Sequence, residues 1–488
     1  MSNPIKKLLG QTAIYGLPSI VGRMLNFLMV PLYISKFKQT SDYGVVSELY
    51  AWVAFLVVFL TFGMETAFFR FLQNKKEDRN QVFNNSFLTV LLINVVFFIT
   101  ILIFSKPIAD ALLYSGHYEY IILLGAVICI DAISALPLAK LRSDEKALKF
   151  AGIQSTSIFV NIALNLILML FFFDDNDPGM GVIFIFAANL FASLVKPLFL
   201  YKDFLHVKLK FDSRLAKEMV IYALPLMIGG LAGIVNETID RILLVHLLYD
   251  GSDASLIAAK AEVGIYSACY KLAMLVTILI QAYRFAAEPF FFSQMRNEDK
   301  NQIYTKVMNY FVAVVCIVFL VVSLNVDFIK LFFIPNEAYW VGLKVVPILL
   351  LANVFLGVYF NQSIWYKLSN QTRFGAYIAI IGALITVLIN VIFIPTYGYM
   401  ASAWATMIVY AIQMVLSYVL GQKYYPIPYN VKKFFLYLGV AIALYFVTVF
   451  LNLEESSTSQ FLVHNSIVVV YLAMIWLIEK PRFVRKED

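Results

Sequence analysis

Six cations interrupt stretches of this chain that are otherwise apolar: Arg23, Arg70, Lys196, Arg241, Lys271 and Arg284. A guanidinium held away from water offers fixed, paired donors to phosphate oxygens. The chemistry these residues suit is therefore anion binding, with no bond broken. In the first run Ser19, Arg23 and Asn26 fall at i, i+4 and i+7, which places them on one face of a helix. Arg241 comes one turn after Glu237, and Arg284 one turn before Glu288, with Gln281 on the latter face. Arg23, Arg241, Lys271 and Arg284, with Asn26 and Gln281, are the expected substrate contacts. The competing role for the Glu237–Arg241 and Arg284–Glu288 pairs is mutual neutralisation along one helix. Arg23 has no acid on its face. Arg70 and Lys196 stand near run ends, where long side chains snorkel to water.

Seven acids also fall in apolar runs: Glu48, Glu65, Asp131, Glu237, Asp240, Glu262 and Glu288. A carboxylate in such a place carries a proton, holds sodium or serves as a counter-ion. Glu237, Asp240 and Asp131 are the candidates for ion coupling. Glu48 and Glu262, near the edges of their runs, are expected to reach water. Cys129, Cys269 and Cys316 are too few and too far apart for a disulfide framework or a zinc site. The four histidines are scattered, so no metal is expected, and no cofactor. No phosphate-cradling glycine loop is present, which excludes transport driven by the chain's own nucleotide hydrolysis. Connecting loops of at most about 15–20 residues leave little room for a catalytic domain, so no enzyme is expected.

The elements that must position these residues follow from composition. Of 488 residues 61% are hydrophobic and 14% charged, against about 25% charged in a soluble domain. No polar stretch is long enough to be a soluble domain, and the remaining class is an all-α polytopic membrane protein. A helix needs about 20 apolar residues to cross a bilayer. Fourteen runs qualify, at about 10–34, 44–71, 82–104, 119–139, 150–173, 180–201, 218–247, 262–291, 307–326, 345–366, 374–394, 399–420, 434–451 and 461–479. With the N-terminus inside, 26 of the 38 Lys and Arg fall in cytoplasmic segments and six in outer loops. A miscounted helix would invert that bias downstream, so the positive-inside rule supports fourteen helices with both ends cytoplasmic. The formal charge of +7 then reflects topology, and no nucleic-acid partner is expected.

Two phrases repeat. Ile14-Tyr15-Gly16-Leu17-Pro18 returns as Ile221-Tyr222-Ala223-Leu224-Pro225, at offset 207. Gly44, Ser47 and Tyr50 return as Gly264, Ser267 and Tyr270, at offset 220. The difference of 13 residues fits an insertion in the loop around Asp250–Ala261. Asn165 and Asn390 stand late in the fifth and eleventh runs, each before a turn with Pro and Gly. The repeat unit is six helices, an even number, so both halves point the same way. The expected architecture is fourteen transmembrane helices: two parallel six-helix repeats around a central cavity, plus two extra C-terminal helices. The expected divisions are 1–210 for the N-terminal lobe, 211–425 for the C-terminal lobe, and 426–488 for the added helices and a basic tail. Pro18 and Pro225 occupy matching places in the first helix of each half and are candidate kinks on which the lobes bend.

With these features the chain resembles the polysaccharide flippases of the Wzx (O-antigen) type, in the multidrug/oligosaccharidyl-lipid/polysaccharide exporter superfamily. The resemblance rests on twelve repeat helices plus two, the Tyr-x-Leu-Pro phrase, Asn390 with Pro395 and Gly398, Tyr43-Gly44, and Phe62-Gly63-Met64-Glu65-Thr66-Ala67 with Phe69-Arg70. It implies a flippase that moves a polyprenyl-pyrophosphate-linked oligosaccharide across the bacterial inner membrane by alternating access. It implies a cationic cavity for the head group and, as in the lipid II flippase, a groove beside helices thirteen and fourteen for the lipid tail. The partners that go with this are the lipid-linked glycan, membrane lipid, and the polysaccharide polymerase and export machinery. The rival functions are an ion-coupled multidrug extruder, whose cavity would favour carboxylates, and a lipid II flippase.

Overall fold

In the computed structural model the chain is helical almost throughout. The structure describes residues 4–73, 78–205, 207, 208, 210–295, 297–451 and 457–479; residues 4–15, 17, 19 and 289 are described by their backbone alone. The helices are α1 (Pro4–Lys36), α2 (Thr40–Thr61), α3 (Met64–Leu72), α4 (Arg79–Ala111), α5 (Tyr118–Ser143), α6 (Ala147–Ile167), α7 (Pro178–Leu205), α8 (Ser213–Leu248) and α9 (Asp253–Gln294). They continue as α10 (Lys300–Leu324), α11 (Val326–Phe333), α12 (Val346–Gln362), α13 (Ile364–Leu368), α14 (Arg373–Tyr397), α15 (Tyr399–Tyr424), α16 (Val431–Leu451) and α17 (Thr458–Glu479). A π-helical turn, Leu168–Phe172, extends α6, and a 3-10 stretch, Glu337–Val345, leads into α12. Among the described residues no strand occurs. Lipid offers backbone groups no partner, so each segment must satisfy its own.

Thirteen described helical segments are long and apolar enough to cross a membrane. α1, over the N-terminal apolar run, covers the remaining expected span. The chain is an all-α polytopic membrane protein. Several expectations fall on residues outside those described: the side chains of Ile14, Tyr15, Leu17 and Ser19, and the cations Lys6, Lys7, Lys75, Lys76, Arg296, Lys480, Arg482, Arg485 and Lys486.

Three details differ from the sequence expectation. The second run is not one helix. Phe62 (φ 52°) and Gly63 (φ 64°) take the left-handed conformation and separate α2 from α3. At Gly63 a Cβ would also stand 3.0 Å from the Ala223 carbonyl oxygen of α8, which explains the glycine within the Phe-Gly-Met-Glu phrase. α4 breaks at Phe104 (φ −108°, ψ 16°), one turn before Pro107, whose missing N–H removes a hydrogen bond there. The 13-residue insertion is not a loop: residues 253–261 are helical and lengthen α9 at its start.

The chain's contacts divide it into two compact units. The first is Met1–Ser267 with Arg373–Ala405. Within it α8 packs along α14, α4 lies on α5 and α6 on α7. Bilayer helices gain little from hydrophobicity and depend on close backbone approach and hydrogen bonds. Both are present. Gly44 of α2 and Gly264 of α9 face each other: a Cβ on Gly44 would overlap the Lys260 carbonyl, and one on Gly264 the Thr40 carbonyl. Asn94 Nδ2 donates to the Leu60 carbonyl (3.2 Å), and Ser157 Oγ to that of Ala192 (2.7 Å).

The second unit is Ala268–Thr372 with Thr406–Asp488. α10 is its spine and packs on α12, α16 and α17. Asn353 Nδ2 on α12 donates to the Ala273 carbonyl of α9 (2.9 Å). α17 is held by polar groups: Gln460 Nε2 donates to Asp327 Oδ2 (2.9 Å), whose other oxygen pairs with the buried Lys330 (2.9 Å).

Candidate functional site

Gly22 allows α6 to come close to α1; a Cβ there would stand 2.8 Å from Ile158 Cδ1. Beside this contact a cavity of about 250 Å³ opens, lined by Pro18, Gly22, Arg23 and Asn26 of α1 and by Phe150, Gln154 and Ile158 of α6. That is ample room for a phosphate group. Arg23 and Asn26 are exposed to it, and no described residue pairs with Arg23. Its guanidinium therefore keeps its donors for a ligand. Gln154 was not anticipated from the sequence. It belongs to a polar row on α6, Gln154, Asn161 and Asn165, at i, i+7 and i+11, and that spacing was a legible signal. Asn165 accepts from Tyr33 Oη (2.9 Å) and donates to Asn161 Oδ1 (2.9 Å), which ties α6 to α1 below the cavity.

Arg241 has a different setting. Its Nη1 donates to the Glu237 carbonyl (2.8 Å) and to Asp240 Oδ1 (3.1 Å), and its guanidinium lies 5.6 Å from the Tyr266 ring centre. Tyr266 Oη donates to the other Asp240 oxygen (2.7 Å). Asp131 is paired with Lys196 across α5 and α7 at 2.7 Å. Lys196 therefore does not simply snorkel. Glu262 accepts from the Tyr399 N–H (3.1 Å) and closes the first turn of α15. Glu48, expected to reach water, is fully buried.

In the second unit Arg284 lies 4.1 Å over the Phe360 ring and 3.9 Å from Glu288. Glu288 also pairs with Lys367 of α13, so two cations share one acid and the group is net positive. A shallow pocket is bounded by Arg284, Glu288, Phe360, Asn361 and Lys367. Lys367 stands on α13, which continues the course of α12 beyond Ser363. Lys271 is half-buried, and Gln281 stands on α9 one turn before Arg284. Arg23, Asn26, Arg241, Glu237, Asp240 and Asp131 thus belong to the first unit, and Lys271, Gln281 and Arg284 to the second. Helices α1 and α8 run on through Pro18 and Pro225. Among the described residues no group of three metal-ligating side chains occurs.

Comparison with known proteins gives the wider context. The family model described as polysaccharide biosynthesis protein matches residues 8–295. An uncharacterized membrane protein of Haemophilus influenzae is 22% identical over 292 residues, 59% of this chain and 66% of that protein, so the chain spans just under two thirds of its length. Among solved structures, the lipid II flippase MurJ in an inward closed conformation superposes with a TM-score of 0.71 at 15% identity, covering 95% of this chain and 99% of that one. An inward-facing multidrug resistance MATE family transporter of the MOP superfamily gives 0.64 at 16% identity, over 84% and 94% of the two chains. A MOP superfamily transporter from Pyrococcus furiosus gives 0.60 at 15% identity, over 85% and 95%. At such identities these likenesses speak to fold alone, and the fold is that of transporters and flippases. The chain belongs to the polysaccharide biosynthesis protein family and has the fold of the MOP superfamily of membrane transporters.

Proposed function

We propose that the protein is a flippase that moves a polyprenyl-pyrophosphate-linked oligosaccharide across the inner membrane, by alternating access, for surface polysaccharide biosynthesis. The observation that carries this reading is Arg23, unpaired among the described residues, in the α1–α6 cavity, in a chain of a polysaccharide biosynthesis family. Arg23 with Asn26 holds the pyrophosphate, and Arg241, Lys271, Gln281 and Arg284 add contacts as the head group advances. The lipid tail stays in the bilayer. Lobes 1–210 and 211–425 are the moving halves, bending at Pro18 and Pro225, with both termini in the cytoplasm. The polysaccharide polymerase and export machinery receive the product.

The test is surface glycan in a strain that depends on this protein. A charge-assisted hydrogen bond is worth about 1.5–3 kcal/mol, or about 10- to 150-fold in binding. Arg23→Ala and Arg284→Ala lose export on that scale, and Arg23→Lys, which keeps charge without the planar fork, falls between. Full export by both alanine variants at normal expression refutes the cationic site. A lipid II substrate is the second reading, favoured by the extent of the MurJ superposition. Rescue of a strain depleted of its lipid II flippase would select it.

A further inference from the structure

Glu48 is 0% exposed, one turn beyond Gly44 on α2. Its Oε2 accepts from Tyr114 Oη at 2.5 Å, while its Oε1 is buried without a hydrogen-bond partner. Among the described residues it is the only carboxylate with such an orphaned oxygen. Trp52 Nε1, a further turn along α2, is also buried without a hydrogen-bond partner, and its N–H stands near the carboxylate. Lys260, in the inserted turns of α9, donates to the Leu113 carbonyl at 2.9 Å and lies 3.9 Å over the Tyr114 ring. Leu113 takes φ 63°, a region that disfavours leucine, and the carbonyl it presents is the one Lys260 takes.

Three segments of the first unit thus meet: α2 through Glu48, the turn 112–117 through Tyr114, and α9 through Lys260. They meet beside the Gly44–Gly264 crossing, where α2 and α9 touch backbone to backbone. Asp42, on the first turn of α2, faces Tyr120, and the other charged groups of this region are engaged elsewhere. Lys106 of α4 lies over Tyr118, Glu119 of α5 pairs with His117, Glu262 of α9 binds the Tyr399 N–H, and Asp240 and Arg241 of α8 bind each other. Tyr120 of α5 meets the Tyr114 ring edge-on, and α7 contributes the uncharged Asn189, bound to Tyr50. Lys260 is the cation that acts on Glu48.

Donors and a cation surround this carboxylate, and an ionised carboxylate is an acceptor only. A protonated one carries an O–H, and the carbonyl within the cluster, that of Leu113, is already occupied by Lys260. We propose that Glu48 is a proton-binding site that latches the α2–α9 crossing and releases it as pH falls. Ionised, it holds Tyr114 and, through it, Lys260. When a hydronium ion gives a proton to Oε1, its O–H bond breaks to leave water, a new O–H bond forms on Glu48, the negative charge is lost, and the turn 112–117 and the start of α9 are released. The proton returns to water when the latch reforms. The proton site is a residue outside the Glu237, Asp240 and Asp131 set, and it stands on the α2–α9 packing alone.

The test needs no substrate. The full chain in liposomes is followed by hydrogen exchange over 112–117 and 253–264 at about pH 8 and about pH 5, corrected for intrinsic rates, and exchange there reports local opening. Wild type is expected to open about tenfold more at the lower pH. Glu48→Gln, permanently neutral and of the same shape, opens equally at both. Tyr114→Phe, which removes one donor, opens more at the higher pH and serves if Glu48→Gln does not fold. Wild-type exchange that ignores pH, or slow exchange in Glu48→Gln at both, overturns the proposal. Either outcome leaves the glycan assay untouched, and loss of the glycan reading leaves this one standing.

Discussion

The Gly44–Gly264 crossing permits a quantitative test of the packing. A methyl group on Gly44 would stand 2.8 Å from the Lys260 carbonyl carbon and 3.1 Å from the Gly264 nitrogen, and closer still to the Lys260 oxygen. Ordinary contact begins near 3.4 Å; the carbonyl carbon alone asks for about 0.6 Å, and the nearer oxygen requires α2 and α9 to part by well over that. The atoms involved are backbone and cannot rotate away. Overpacking of this kind costs about 1–3 kcal/mol. At ~2.1 cal/mol/K per residue over 488 residues, that is a fall of about 1–3 °C in the unfolding midpoint. Cys129, Cys269 and Cys316 are all buried, so a thiol-reactive dye reports unfolding of the purified protein without labels. The controls are Gly152→Ala and Gly233→Ala, where a Cβ meets nothing within 4 Å. Both lie inside helices, and alanine there gains about 0.5–1 kcal/mol. Gly44→Ala and Gly264→Ala should each lower the midpoint, and the pair together by less than the sum, because both open the same crossing. If Gly44→Ala behaves like Gly152→Ala, the close approach is wrong, and the latch at Glu48 loses its foundation.

Other consequences are more local. Lys196→Met leaves Asp131 unpaired within the span and should destabilise the fold by about 3–5 kcal/mol, whereas Lys196→Met with Asp131→Leu should recover most of that; the same dye assay reads both, and equal losses would contradict the pair. Asp250 lies outside the spans, and the hydroxyls of Ser255 and Ser252 hold its carboxyl down to about 2. A lowered value means that the ionised form belongs to the ordered turn. Its contribution is full above the ordinary carboxylate range and fades as pH falls towards about 2. Proteolysis within 250–256 should therefore be steady from about pH 7 to about pH 4 and change only below, and Asp250→Asn should abolish that change.

The fourteen spans and the repeat could be read from the chain because lipid makes the helix obligatory and hydropathy is a local property. The repeat even contained Gly44 and Gly264 as matching residues. Nothing in the phrases said that the two would touch, since that depends on how two helices separated by more than two hundred residues rotate and cross. Arg23 and Asn26 could be paired from their spacing, because a helix fixes which residues share a face. Gln154, which completes their cavity, comes from another helix, although its own polar row was visible. Lys367 shares Glu288 with Arg284 because α13 carries on from α12 and brings it beside α9, and Lys260 reaches the turn beside Glu48 because an insertion that resembled a loop is helical. Composition, period and charge bias thus determined that this is a many-helix membrane protein and named most of its buried charges. Which charges pair, which are sealed and which remain open was decided by tertiary packing, because pairing acts over a few ångströms between segments whose separation in the chain carries no such distance.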